Sequence, residues 1–290
     1  MMGSAAMRVG EYVLARRVAS GATCDVYQGY HAVTGQAVAV KMLSPSLCSD
    51  EEVGGRFLNE AQALQQLRHE HLVHAVTSGV LPTGQPFLVL EWLPGDLHRL
   101  FKRAGGQLPV QAATRVAAQL GAALAFLHDS RIFHRDLKPA NILVATDNLA
   151  LIEVKLADLG LAKIPREEGH EGGSGLAASA ISTAKRALLG TWDYMAPEQW
   201  VQSKTAGGPA DVYALGILLF QMLAGRLPFV AEQQKDLMYL HLLEKPPLEL
   251  LEGLAPQATR DLIAGMLHKK PLERPAMGEV ARRLADTPLM

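Results

Sequence analysis

The chain has 290 residues, 49% of them hydrophobic, with a formal net charge of −1 and a pI near 6.8. That length buries a large core, as one big domain or two packed lobes, and the near-zero charge argues against a nucleic-acid partner or an anionic membrane surface. Two cysteines, Cys24 and Cys48, form no disulfide framework, and MMGSAAMRVG lacks the apolar core of a signal peptide, so a cytoplasmic protein is expected.

In chain order, YVLARRV (12–18), CDVYQGY (24–30) and AVAVKML (37–43) alternate apolar and polar residues and read as strands, with VTGQ (33–36) as a glycine turn between the last two. EEVGGRFLNEAQALQQL (51–67) reads as a helix with Ser49 or Asp50 as its N-cap. LVHAVTSGV and PFLVLEW read as two more strands, giving a sheet with one helix over the first 90 or so residues. After LPGD (93–96) the pattern turns helical. VQAATRVAAQLGAALAFLH is an alanine-rich helix, and DVYALGILLFQMLAG is apolar nearly all round, as a central buried helix should be. KDLMYLHLLE, ATRDLIAGMLH and AMGEVARRLAD are further helices. The run ALGILLFQMLAG (214–225) is too short to span a bilayer, so no membrane span is expected within this chain. PREEGHEGGSGLAASAISTAKRA (165–187) has no apolar period and reads as a long functional loop.

The strongest chemical signal is FHRDLKPANILV (133–144), where Asp136, Lys138 and Asn141 lie on a loop entering a strand. An acid, a cation and an amide at this spacing can hold a hydroxyl, a phosphoryl group and a metal ion. KLADLG ends a second strand, and a hairpin between the two would bring Asp158 beside Asn141 as hard ligands suited to Mg²⁺. His69, His71 and His74 follow neither a helical nor a zinc-site spacing and are not read as metal ligands.

These motifs, in order, resemble the catalytic domain of the bacterial (eukaryotic-like) serine/threonine protein kinases. AVAVK carries Lys41, RFLNEAQAL carries Glu60, HRDLKPAN matches the catalytic loop, and DLG stands where DFG is usual. GTWDYMAPE matches the end of the activation segment, DVYALG carries Asp211, and ERP carries Arg274. The resemblance covers residues 11–287 and implies an α+β, two-lobed kinase fold, with a small β-rich N-lobe at about 11–92 and a larger helical C-lobe at about 94–287. It implies transfer of the γ-phosphoryl of ATP to Ser or Thr of protein substrates, with Mg²⁺ (or Mn²⁺) as cofactor, in bacterial signalling.

By the same resemblance Lys41 would pair with the nucleotide phosphates and Glu60 would hold Lys41. Asp136 would accept the substrate proton, Lys138 would neutralise the moving phosphoryl group, and Asn141 and Asp158 would bind the metal. Val18, Gly21, Val26, Ala39 and Leu143 would surround the nucleotide. Backbone groups of Glu91 and Leu93, after Leu90, would hydrogen-bond adenine. Glu198 with Arg274, and His134, are expected to be scaffold. Thr191 would bridge Asp136 and Lys138, and phosphorylation of Thr183 or Ser182 would pair with Arg135 and switch the enzyme on. The chain departs from the family in its glycine loop, where Ala19 and Cys24 replace two of three glycines, and at Leu159 of DLG. The competing readings are a catalytically silent nucleotide-binding or scaffold module and a small-molecule kinase.

Overall fold

The computed structural model describes residues 7–21, 23–146, 148–158, 192–202 and 206–286, apart from the side chains of Glu60 and Gln202. The expectations placed on Leu159, Thr191, Thr183, Ser182, the Glu60 side chain and the 165–187 insert lie outside the described residues. The chain divides into two compact units, one drawn from the chain up to His69 with Val73–Trp92, the other from Glu70–Leu72, Leu93 onward and the C-terminal part.

The first unit is an antiparallel sheet of β1 (Arg8–Val9), β2 (Tyr12–Ser20), β3 (Cys24–His31), β4 (Ala37–Leu43), β5 (Ala75–Val80) and β6 (Pro86–Glu91), in the order β1-β2-β3-β4-β6-β5. The alternation in AVAVKML sorts β4 into two faces. Val38, Val40 and Met42 join Val9, Tyr12, Leu14 and Val89 in one buried cluster. Ala39 and Lys41 point the other way. The turn at 33–36 forms as read, with Gly35 in the left-handed region at φ 71°. The helix α1 (Glu51–Gln66) starts where its cap predicts: the Asp50 carboxylate accepts from the N–H groups of Glu52 (3.0 Å) and Val53 (3.1 Å). Phe57, Ala61 and Leu64, spaced by one helical turn each, are its buried stripe.

One strand is shorter than the sequence suggests. The run read from Leu72 pairs in this sheet only from Ala75, because Leu72 forms a parallel bridge to Leu156 and the His71 carbonyl accepts from Leu156 N–H at 2.8 Å. Residues 70–72 therefore belong to the second unit.

The second unit opens with β7 (Gly95–Asp96) and α2 (Leu97–Arg103), a seven-residue helix the periodicity did not reveal, capped by the Asp96 side chain on Arg99 N–H at 2.8 Å. Then come α3 (Val110–Asp129), β8 (Ile142–Val144), β9 (Val154–Leu156), α4 (Pro197–Gln202), α5 (Gly208–Ala224), α6 (Gln234–Leu243), α7 (Gln257–Met266) and α8 (Met277–Ala285). α5 is the central helix: its residues from Ala210 to Phe220 are all buried, Asp211 included. It can pack closely on α7 because Gly216 has no Cβ; one built there would sit 2.9 Å from both Met266 Cβ and Leu267 Cδ2. α3, with mean hydropathy 1.3, is long and apolar enough by composition to cross a bilayer. Its Val116, Leu120, Leu124 and Leu127 are instead fully buried in this unit, packed against α5 and α8.

An acid-sensitive group sits in this core. His241 on α6 is fully buried, with Nδ1 3.0 Å from the Tyr213 hydroxyl and its ring among Trp200, Tyr213 and Phe229. Burial first, then the Lys269 charge, pushes its pKa down from 6.5 to about 3. The unfolded chain thus takes up this proton at a pH where the folded chain refuses it. Stability should fall as pH drops from 6.5 towards 3, by up to ~1.4 kcal/mol per pH unit for this one group. Urea unfolding across that range should show the loss, and His241→Leu should flatten the slope while lowering stability near neutrality.

Candidate active site

The sequence places the candidate site residues where two short strands meet. β8 and β9 form the expected hairpin, with Ile142 opposite Leu156, and Ala157 N–H donates to Asn141 O at 2.9 Å. Asp158 is therefore the residue next to the one bonded to Asn141. It adopts φ 51°, and Arg135 adopts φ 61°; both are unusual for residues other than glycine. Such conformations cost on the order of 1–3 kcal/mol and persist where surrounding structure imposes them.

The Asp136 carboxylate is held from two sides. Lys138 Nζ donates to both its oxygens, at 2.9 Å and 3.2 Å. Asn141 Nδ2 donates to Asp136 Oδ2 at 3.1 Å and to Asp136 O at 2.9 Å. With Nδ2 so committed, the group Asn141 can offer a cation is its amide oxygen. The Asp136 side chain remains 29% exposed, so a reacting hydroxyl can reach it.

Below this loop lies a buried bracket. The Asp211 carboxylate, 0% exposed, accepts from Arg135 N–H (2.7 Å), from His134 N–H (3.0 Å) and from His128 Nε2 (2.8 Å). Asp136 N–H donates to His134 Nδ1 at 3.3 Å, which puts the imidazole proton on Nε2, and that nitrogen donates to Ala157 O at 3.1 Å. His134 thus ties the Asp136 loop to the chain leading into Asp158. Burial lowers the Arg135 pKa, with Asp211 acting in the opposite sense. Glu198 and Arg274 form a two-point pair at 2.7 and 2.9 Å, and the fully buried Arg274 also donates to the carbonyls of His268, Pro209 and Lys269. The roles of Asp211, His128 and Gln199 were not read from the sequence, since their partners lie far along the chain.

In the first unit, register decides which residues share the face of Lys41. Val26 is paired with Lys41 from β3, Leu88 with Lys41 and Leu90 with Ala39 from β6. Val18 falls in a bulge between the pairs Arg17–Tyr27 and Ala19–Val26, and a bulge re-aims a side chain. The Gly21 N–H closes the loop on Cys24 O at 2.9 Å. Glu91 N–H donates to His74 O at 2.9 Å, and its Oε1 accepts from His74 N–H at 2.7 Å. This narrows the backbone role expected of Glu91 to its carbonyl. Leu93 and Leu143 belong to the second unit, where Leu93 is buried and Leu143 is paired with Asp96 and Lys155.

Comparison with known proteins identifies the family. The family model for the protein kinase domain matches residues 12–284. The serine/threonine-protein kinase Pkn1 of Myxococcus xanthus is 34% identical over 269 residues, 92% of this chain and 37% of that protein. PknL of Mycobacterium tuberculosis is 31% identical over 265 residues, 91% of this chain and 62% of that protein. The chain thus spans less than two thirds of each of these curated relatives. The solved structure of Rad53 residues 1–466 in complex with AMP-PNP superposes with a TM-score of 0.73 at 24% identity, over 94% of this chain and 64% of that one. That likeness concerns the fold: a β-rich unit and a larger helical one. With residues 12–284 matched by that model, the chain belongs to the protein kinase domain family.

Proposed function

We propose that this chain transfers the γ-phosphoryl group of ATP to serine or threonine hydroxyls of proteins. The observation that carries the reading is the Asp136 carboxylate, fixed by Lys138 and Asn141 on a loop braced from below by Asp211. The names of the bacterial relatives and the AMP-PNP held by Rad53 support the same assignment. A catalytically silent module would have no use for this complete set of residues, and the named relatives give that alternative no support.

In this reading the substrate hydroxyl hydrogen-bonds to Asp136, which aligns its oxygen for in-line attack and takes its proton. Lys138, already bonded to the same carboxylate, offsets charge on the phosphoryl group in transit. Lys41 meets the nucleotide phosphates, with Glu60 as its holder. Val18, Gly21, Val26, Ala39 and Leu143 surround the nucleotide, and the Glu91 carbonyl and Leu93 backbone meet the adenine. The amide oxygen of Asn141 and the carboxylate of Asp158 are hard donors that fit Mg²⁺. When bound, the ion neutralises phosphate charge and fixes its geometry. Phosphorylation at Thr183 or Ser182, read by Arg135, is the proposed switch.

The test is incubation of the chain with γ-labelled ATP, Mg²⁺ and a mixed protein substrate, followed by phosphoamino-acid analysis. Label on serine and threonine is expected. Label confined to tyrosine or to small molecules, or no label at any metal concentration, would overturn the assignment.

A further inference from the structure

The peptide that carries Asp136 into the site is gripped by a side chain from outside the catalytic loop. Gln199 lies on α4 and is buried, with 8% exposure. Its Oε1 accepts from Ala196 N–H at 2.9 Å, while Gln199 N–H donates to Ala196 O at 2.9 Å. This is the third-residue half of a capping box, closing the start of α4. Its Nε2 donates to Arg135 O at 3.2 Å. The partners fix the amide orientation: the oxygen meets an N–H and the nitrogen meets a carbonyl.

Arg135 O and Asp136 N–H belong to one rigid peptide plane. Its oxygen is held by Gln199, its N–H by His134 Nδ1 at 3.3 Å, and the preceding N–H of Arg135 by Asp211 at 2.7 Å. Arg135 itself sits at φ 61°, a conformation the chain leaves when its restraints go. We infer that Gln199 is a positioning residue for Asp136, linking the start of α4, and so the end of the activation segment, to the orientation of the catalytic carboxylate. The inference rests on the kinase reading for its effect on rate, but not for its effect on the loop.

Glutamate separates the two jobs of this side chain. Gln199→Glu keeps an oxygen for Ala196 N–H but turns a second oxygen on Arg135 O, so the cap survives and the grip is lost. Gln199→Met, of similar length, loses both. In both variants kcat should fall by about tenfold or more, the scale set by small misplacements of a reacting group, while KM for ATP stays within about twofold. Hydrogen exchange at the Asp136 amide should quicken in both, and exchange across 197–202 should quicken only in Gln199→Met. Wild-type kcat in Gln199→Glu, or unchanged exchange at Asp136 in both variants, overturns the inference. A parent chain that transfers no phosphate removes the kinase reading instead, and the exchange measurement then decides the positioning role on its own.

Discussion

Asp136→Asn should lower phosphoryl transfer by about 10²- to 10⁴-fold while leaving the fold intact, the range typical of losing a positioned general base. The amide is nearly the same size as the carboxylate, and the site is part-exposed, so packing changes little. What changes is the chemistry. An amide takes no proton from the substrate hydroxyl, and one of its two terminal atoms becomes a donor. In the parent chain Lys138 Nζ donates to both Asp136 oxygens, at 2.9 and 3.2 Å, so one of these bonds must turn into a donor–donor contact. In the proposed mechanism Lys138 then swings away from the place where charge builds up. The loss should therefore appear in kcat, with ATP affinity nearly unchanged, because the expected nucleotide contacts of Lys41 and Gly21 lie elsewhere in the chain. Steady-state kinetics beside a nucleotide-binding titration and a thermal melt make the distinction. Near-normal turnover by a well-folded Asp136→Asn chain would remove Asp136 from the mechanism.

How much of this was legible in sequence follows from the range of each interaction. β4 and α1 were readable because their causes are local: alternation sorts Ala39 and Lys41 from Val40 and Met42, and Asp50 caps two N–H groups within three residues. The β8–β9 hairpin was readable because the motif on each arm fixes which residues must meet. Four things were not. α2 is seven residues long, too short for a helical period to stand out beside its Asp96 cap. Leu72 reads as the start of β5, and only its bridge to Leu156 draws it into the other unit. Gln199 occupies the capping-box position, but with Ala196 at the cap instead of Ser or Thr the usual pattern is broken, and its second partner is 64 residues away. Asp211 was recognisable as a motif residue, yet nothing local shows that it accepts from residues 76, 77 and 83 positions earlier.

That bracket carries the largest expected effect on stability. Asp211→Leu should destabilise the chain by about 3–9 kcal/mol, taking each of three groups left without a partner at ~1–3 kcal/mol. The two backbone N–H groups of His134 and Arg135 lose their acceptor, and the side chain of His128, with Nε2 at 2.8 Å, loses its anchor. No water can easily replace them, because the Asp211 side chain is fully buried. Against a total stability of ~5–15 kcal/mol such a loss is a large share, and a marginal chain would not fold. Asp211→Asn is the gentler probe. Its one oxygen can serve only part of the set, and its amide nitrogen confronts at least one remaining donor, so about half the loss is expected. Its kinetic effect should exceed its effect on stability. The Arg135 N–H bond at 2.7 Å is one of the restraints holding Arg135 at φ 61°, and Asp136 follows directly from it. A folded Asp211→Asn chain should therefore show a reduced kcat and faster exchange at Asp136 together. If urea unfolding places Asp211→Leu within 1 kcal/mol of the parent, on the order of a neutral surface change, the bracket contributes no net stability. The catalytic loop would then rest on its other restraints, Gln199, His134 and Asn141 among them.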